Sequence, residues 1–344
     1  MNKLFTKLSS LLLSFFFLQG LSWADSAYPP SDHYDGKRFH NLEIKDDLKS
    51  FWQVMKWKWT ARPEEWPETI ANQEFPFVTL DSSSQAVVTF INHASFLIQL
   101  PGLNILTDPI YAERASPFSF IGPKRVRAPG INFENLPAVD VVVISHNHYD
   151  HLDIETLKRI DGKFHPLFLV PLGDQKFLKE EGILNVVELD WWNEYRLKDT
   201  RIIFTPSQHW SARSLFDKSL SLWGSFYFDN GKSKIYFGGD TGYSSHFKQI
   251  KNRYGAPDLS LLPIGAYEPR WFMKNHHMNP EEALKAHLDL ESSLSLGMHF
   301  GTFQLTDEAM DRPLQDLVFA REALKVPVEK FKTLQEGESH VLRD

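Results

Sequence analysis

The 344-residue chain contains no cysteine. That excludes a disulfide framework, any thiolate metal site and a cysteine nucleophile. It also excludes a lipid anchor on an N-terminal cysteine. No G-x-G-x-x-G dinucleotide fingerprint and no G-x-S-x-G nucleophile elbow occurs. Gly231-Lys232-Ser233 mimics the end of a P-loop, but position 226, where that motif needs glycine, is Phe; the triplet reads as a hairpin turn. No internal repeat or low-complexity tract is present. No segment after residue 24 is long and apolar enough to span a bilayer. What remains, 42% hydrophobic and 24% charged residues, is ordinary globular composition and excludes a disordered or fibrous chain.

The formal charge is −7. Lys3 and Lys7 lie in residues 1–24, which hold no acid; without them 35 basic residues face 44 acidic ones, a balance of −9. A chain this acidic is a poor partner for nucleic acid. Residues 1–24 combine those two lysines with an eleven-residue apolar run, Leu8 to Leu18, and with the small residues Ser22 and Ala24. This is the pattern of a secretory signal peptide. The expectation is an exported protein, periplasmic or held at the outer side of the cytoplasmic membrane. An uncleaved N-terminal anchor is the alternative.

Residues 25–80 are rich in proline and aromatics. Within them DDLKSFWQVMKWKWTARPEEW is helix-like and carries Phe51, Trp52, Trp57 and Trp59. From residue 81 onward, short β-branched runs alternate with polar turns and amphipathic stretches. Strands are expected at Val87–Ile91, Phe96–Gln99, Ile105–Thr107, Val139–Ser145, Leu167–Val170, Val186–Leu189, Arg201–Thr205, Leu222–Phe228, Lys234–Gly238, Leu259–Ile264 and Leu294–Met298. Helices are expected at Ile154–Ile160, Gly173–Glu181 and Pro280–Leu288. The last opens with Asn279 as cap, Pro280 in the first turn and Glu282 placed for a capping box. This order of elements implies a layered α/β domain.

The chemistry concentrates in Ser145-His146-Asn147-His148-Tyr149-Asp150-His151. Four potential ligands, His146, His148, Asp150 and His151, follow directly on a strand with two apolar faces. A turn at a strand end lets such side chains converge, and imidazole with carboxylate suits zinc or iron. Three further candidates sit just beyond apolar runs: His209 after Arg201–Thr205, Asp240 after Ile235–Phe237, and His299 after Leu294–Leu296. Each alone would read as a buried histidine or a turn residue. Their shared placement points to one site.

H-x-H-x-D-H followed by a distant His, Asp and His resembles the signature of the metallo-β-lactamase superfamily. GPKRVRAP, ISHNHYDHLD, ELDWW, TPSQHW, GDTGY, IGAYEPRWFMK and HFGTF resemble one branch of it, the N-acylphosphatidylethanolamine-hydrolysing phospholipases D. The similarity spans roughly residues 80–344. At Asn275-His276-His277-Met278 the chain departs from the branch, which more often has Tyr-Gln-His-Val. The resemblance implies an αββα four-layer sandwich with metals at one edge. The chain is thus expected to divide into a signal peptide (1–24), an extension packing on the core (25–80) and a hydrolase domain (81–344). The resemblance implies two zinc ions per chain, with iron or manganese as alternatives. One would be held by His146, His148 and His209, the other by Asp150, His151 and His299, with Asp240 bridging. A hydroxide shared by the ions would attack a phosphodiester, giving phosphatidic acid and an N-acylethanolamine. Tyr149 and His277 are the substrate-contact candidates. His93, in Asn92-His93-Ala94-Ser95, reads as a support for the ligands. A phospholipid substrate implies membrane contact, for which the aromatic stretch around Trp57, Pro117-Phe118-Ser119-Phe120 and Lys124-Arg125-Val126-Arg127 are candidates. A homodimer would be compatible. Two other readings share the scaffold: a metal-dependent lactonase or esterase, and a non-catalytic envelope protein.

Overall fold

The computed structural model describes residues 28–44 and 51–343; the expected signal peptide lies outside the described residues. Among these, fourteen strands form two seven-stranded sheets. The first contains β1 (Ser84–Asn92), β2 (Ser95–Leu100), β3 (Leu103–Thr107), β4 (Val141–Val143), β5 (Leu167–Pro171) and β6 (Val186–Leu189). The second contains β7 (Glu194–Leu197), β8 (Thr200–Thr205), β9 (Ser225–Asp229), β10 (Lys234–Phe237), β11 (Leu259–Pro263), β12 (Leu294–Met298) and β13 (Phe331–Thr333). The last strand, β14 (Ser339–Arg343), returns to the first sheet and pairs antiparallel with β1. The orders are β14-β1-β2-β3-β4-β5-β6 and β13-β12-β11-β10-β9-β8-β7.

The apolar alternation along these strands explains the layering, because successive side chains point to opposite faces. Val141, Val143, Leu169, Phe204, Phe226, Phe237 and Leu261 meet in the core between the sheets. Their neighbours Val142, Ile144, Phe168 and Val170 face outward. There they pack with Leu157 and Ile160 of α2 (Ile154–Phe164) and Leu178 of α3 (Gln175–Glu180). On the other side Ile203, Tyr227, Tyr236 and Leu262 meet α4 (His246–Tyr254), α6 (Pro280–Leu290) and α7 (Arg312–Leu324). Helix, sheet, sheet and helix are thus the four layers. A strand with apolar residues at every position is the signature of a sheet covered on both faces. Helix α6 begins with the expected capping box: Asn279 accepts from the Glu282 N–H, and Glu282 accepts from the Asn279 N–H. The triplet at Gly231 is the β9–β10 hairpin turn, with Gly231 at φ +78°.

Two expected strands are shorter than their apolar runs, and for one reason. The N–H of Ser145 leaves the ladder for Asp108 Oδ1 (2.7 Å), and the Gly224 N–H donates to the Ser145 carbonyl (2.9 Å). The backbone after β4 and before β9 is spent on the loops that hold the polar cluster. Residues 51–66 lie at the same end of the molecule. Helix α1 (Phe51–Thr60) places Trp57 against Phe272 at 4.9 Å, next to the short helix α5 (Arg270–Met273). Trp66 Nε1 donates to the Glu308 carbonyl (2.9 Å). Residues 28–44 form a strap whose Tyr34 and Phe39 enter the inter-sheet core. Among the described residues no helix is long and apolar enough to cross a membrane.

Candidate metal centre

Loops leaving β4, β8, β10 and β12 at the same edge of the two sheets carry the seven side chains. The close approach has a backbone requirement. Gly239, just before Asp240, sits at φ +54°, and a Cβ there would lie 2.5 Å from Ser145 Cβ. Only glycine lets the Asp240 loop lie against the start of the histidine loop.

His146, His148 and His209 form one group. His146 Nε2 lies 2.8 Å and His209 Nε2 3.2 Å from His148 Nδ1. Asp150, His151 and His299 form the second. Asp150 Oδ2 is 3.3 Å from both His151 Nε2 and His299 Nε2. Asp240 reaches both groups: its oxygens lie 3.3 Å from His151 Nε2 and 3.1 Å from His299 Nε2, and 3.7 and 3.9 Å from His209 and His146 Nε2. All seven side chains are largely buried.

The electrostatics suit a cation. Burial holds His148 down to about 3. Burial, reinforced by neighbouring imidazoles, takes His146 and His209 well below the ordinary histidine value, so these rings are neutral and present lone pairs. Burial alone would raise the Asp150 and Asp240 carboxyls. Facing His151 and His299, both are instead carried well below the usual range. His299 is pushed up to about 9 against the penalty of burial, chiefly by Asp240 and Asp150. The cluster therefore concentrates two ionised carboxylates in a buried space and draws positive charge toward them. His151 Nε2 and Asp240 Oδ1, which face the cluster, are buried without a hydrogen-bond partner. Buried polar atoms normally have partners, and convergent, unpartnered donor atoms on His and Asp are what a metal ion completes. Ligand atoms of His146, His148 and His209, and of His93, Asp150, His151 and His299, lie within 4.8 Å of one another in each set. The cluster can bind metal ions.

Further residues hold these groups in place. Asp108, fully buried, accepts from Ser145 Oγ (2.6 Å) and from His151 Nδ1 (2.6 Å), which turns the Nε2 lone pair inward. His93 Nε2 donates to Asp150 Oδ2 (2.9 Å). Arg213 donates to the carbonyls of Asn147 (2.9 Å) and Leu152 (2.8 Å), spanning the histidine loop. His209 Nδ1 donates to the His276 carbonyl (2.9 Å). Asp108 carries the same cue as Asp240, an acid just past an apolar run. Arg213 carries no sequence cue of this kind.

A cavity of about 390 Å³ opens over the cluster, lined by Val54, Trp57, Tyr149, Trp210, Phe272 and Met273, with Asp150, Asp240 and His277 among its polar members. Tyr149 presents its ring to the cavity, while its hydroxyl donates to the Arg213 carbonyl (2.6 Å). His277 Nδ1 lies 3.8 Å from Asp240 Oδ2, and burial holds it down to about 4.

A buried His/Asp cluster at the edge of an αββα sandwich, beneath an open cavity, defines a metal-dependent hydrolase of the metallo-β-lactamase fold. Residues 103–300 match the Beta-lactamase superfamily domain. The chain belongs to that superfamily. It is 41% identical over 272 residues to N-acyl-phosphatidylethanolamine-hydrolyzing phospholipase D 1 of Caenorhabditis elegans, covering 75% of this chain and 76% of that protein. It is 41% identical over 223 residues to the mitochondrial enzyme of that description from Saccharomyces cerevisiae, covering 63% and 47%. Its fold is similar to that of a metallo hydrolase from Ignicoccus hospitalis, with a TM-score of 0.57 and 22% identity over 75% of this chain and 99% of that one.

Proposed function

We propose that the protein is a phospholipase D-type phosphodiesterase that cleaves N-acylphosphatidylethanolamine-like lipids to phosphatidic acid and an N-acylethanolamine. The observation that carries this reading is the pairing of the His/Asp cluster with a cavity walled by Val54, Trp57, Phe272 and Met273. A polar reacting centre beneath an apolar wall suits a substrate with a charged diester and hydrocarbon chains. The 41% identity to the worm enzyme over three quarters of both chains supports the same substrate class.

His146, His148 and His209 would hold one zinc ion and Asp150, His151 and His299 the other, with Asp240 between them; iron or manganese also suits these donors. Such a pair supplies Lewis acidity at phosphoryl oxygens and acidifies a water toward neutrality. The remaining work falls to the chain. Neutral imidazoles leave the ions more electrophilic than thiolates would. Asp108 and His93 keep His151 and Asp150 oriented. Trp57, Phe272 and the Tyr149 ring bind hydrocarbon and exclude water beside the reacting bond. His277, at the cavity wall, is placed to hydrogen-bond the diester.

The cavity mouth meets a membrane in this proposal. Trp52, Trp59, Phe120 and Trp271 are exposed apolar side chains, and Lys56 lies 5.0 Å from the Trp271 ring. Exposed tryptophans with interleaved lysines suit a lipid interface. The decisive assay compares turnover of N-acylphosphatidylethanolamine vesicles with that of lactones and simple esters by the zinc-loaded protein. Release of N-acylethanolamine with phosphatidic acid is expected. Preferential opening of lactones would make the protein an esterase instead.

A further inference from the structure

The backbone around His209 has left the sheet. Strand β8 ends at Thr205 and Pro206 follows, so the N–H and carbonyl of His209 need partners from elsewhere. A single side chain meets both. Asn41, buried in the strap, donates through Nδ2 to the His209 carbonyl (2.9 Å) and accepts at Oδ1 from the His209 N–H (3.1 Å). The same Oδ1 accepts from Trp223 Nε1 (3.1 Å). A carboxamide offers a donor and an acceptor side by side, so Asn41 takes the place of a neighbouring strand. The strap bearing it is fastened elsewhere. The Phe39 N–H donates to the Ser219 carbonyl (2.9 Å). The His33 ring lies 2.7 Å from Asp190 and stacks on Trp191 at 4.3 Å. With its backbone clamped by Asn41 and its Nδ1 spent on the His276 carbonyl, the His209 ring has one direction left for Nε2, toward His148 Nδ1.

We propose that Asn41 is a positioning residue for His209 and that the strap is thereby part of the metal-binding machinery, although it lies outside the matched domain. This rests on His209 being a ligand, as proposed above. The test uses the full chain loaded with zinc and dialysed against a graded chelator. Zinc retained per chain is measured, together with the melting temperature of the stripped protein. Asn41→Ala is expected to release zinc at about tenfold weaker chelation than the unaltered chain, the range found for groups that orient ligands. Asn41→Asp keeps the acceptor but sets a carboxylate against the His209 carbonyl; it should weaken retention in the same direction, and it serves if the alanine variant does not fold. Leu290→Ala, in the last turn of α6, removes core packing without touching the strap or His209 and should leave retention within about twofold. Two results overturn the proposal: wild-type zinc retention by folded Asn41 variants, or equal weakening by Leu290→Ala at matched loss of melting temperature. His209→Ala separates the two readings. Wild-type zinc retention in that variant removes His209 as a ligand, and the role of Asn41 with it; loss of zinc there with full retention in the Asn41 variants rejects Asn41 alone.

Discussion

Replacing Asp108 with Asn removes one charge and changes no shape, which makes it a sharp test of how the second ligand group is oriented. Oδ1 of Asp108 accepts from the Ser145 N–H (2.7 Å); Oδ2 accepts from Ser145 Oγ (2.6 Å) and from His151 Nδ1 (2.6 Å). Asparagine has one acceptor oxygen. If its amide group takes the Oδ1 position, it opposes a backbone N–H that cannot move. If it takes the Oδ2 position, the Ser145 hydroxyl can rotate to accept, but His151 must carry its proton on Nε2. That nitrogen faces Asp150 and Asp240 and would no longer offer a lone pair to an ion. A buried donor left opposed costs about 1–3 kcal/mol. Converted to binding, this is about 5- to 150-fold in ion affinity. The assay is chelator competition on the zinc-loaded protein, with turnover measured in parallel. Folded Asp108→Asn protein that keeps zinc and turnover within about twofold of the unaltered chain would refute the reasoning, since that lies below the effect expected of a ligand-orienting carboxylate.

Asp240 is the carboxylate that reaches both groups, so Asp240→Asn should lower turnover by about 100-fold or more with the fold retained by circular dichroism; turnover within about fivefold removes its bridging role. Trp57→Ala strips apolar surface from the cavity wall and should lower kcat/KM by about tenfold for long-chain substrates but not for short ones; equal losses for both would count against the wall as a hydrocarbon site. Asp174, fully buried with Asn147 Nδ2 at 3.1 Å and near Glu188 and Arg213, has its carboxyl pushed up to about 8, mainly by burial. The folded chain therefore keeps a proton that the unfolded chain gives up above about pH 4. The resulting stabilisation is complete below that pH and is lost as pH rises to about 8. Asp174→Asn should flatten this loss, so the melting temperature of the variant relative to the unaltered chain should climb between pH 5 and pH 8; a constant difference would contradict it.

Much of the fold can be read from the chain because its central strands are apolar at nearly every position. The runs at β4, β5, β8 and β10 mark themselves, and the acids and histidines beyond them mark the sheet edge where function gathers. The strands left unread are of another kind. Strand β7 is Glu-Tyr-Arg-Leu, and β13 and β14 are short and mostly half-exposed. All three lie at sheet edges, where one side of the strand meets solvent and no apolar run is required. The same division holds in the site. His146 to His151 are legible because the motif is contiguous. Asn41 and Arg213 are not, because each acts on backbone atoms of a distant segment, and a backbone carbonyl has no letter of its own. Asp108 lies between: its position after β3 was readable, but its partners were not.

The pairing of β14 with β1 has a consequence for synthesis. Val87 sits opposite Val341, so the first and last strands of the domain are neighbours. No growing chain can complete the sheet that carries the histidine loop until residues 339–343 have emerged. Until then β1 offers a bare row of amides and carbonyls to any passing strand. A chain that has not reached, or has lost, residues 339–343 is thus open to self-association along β1, which β14 covers in the finished fold.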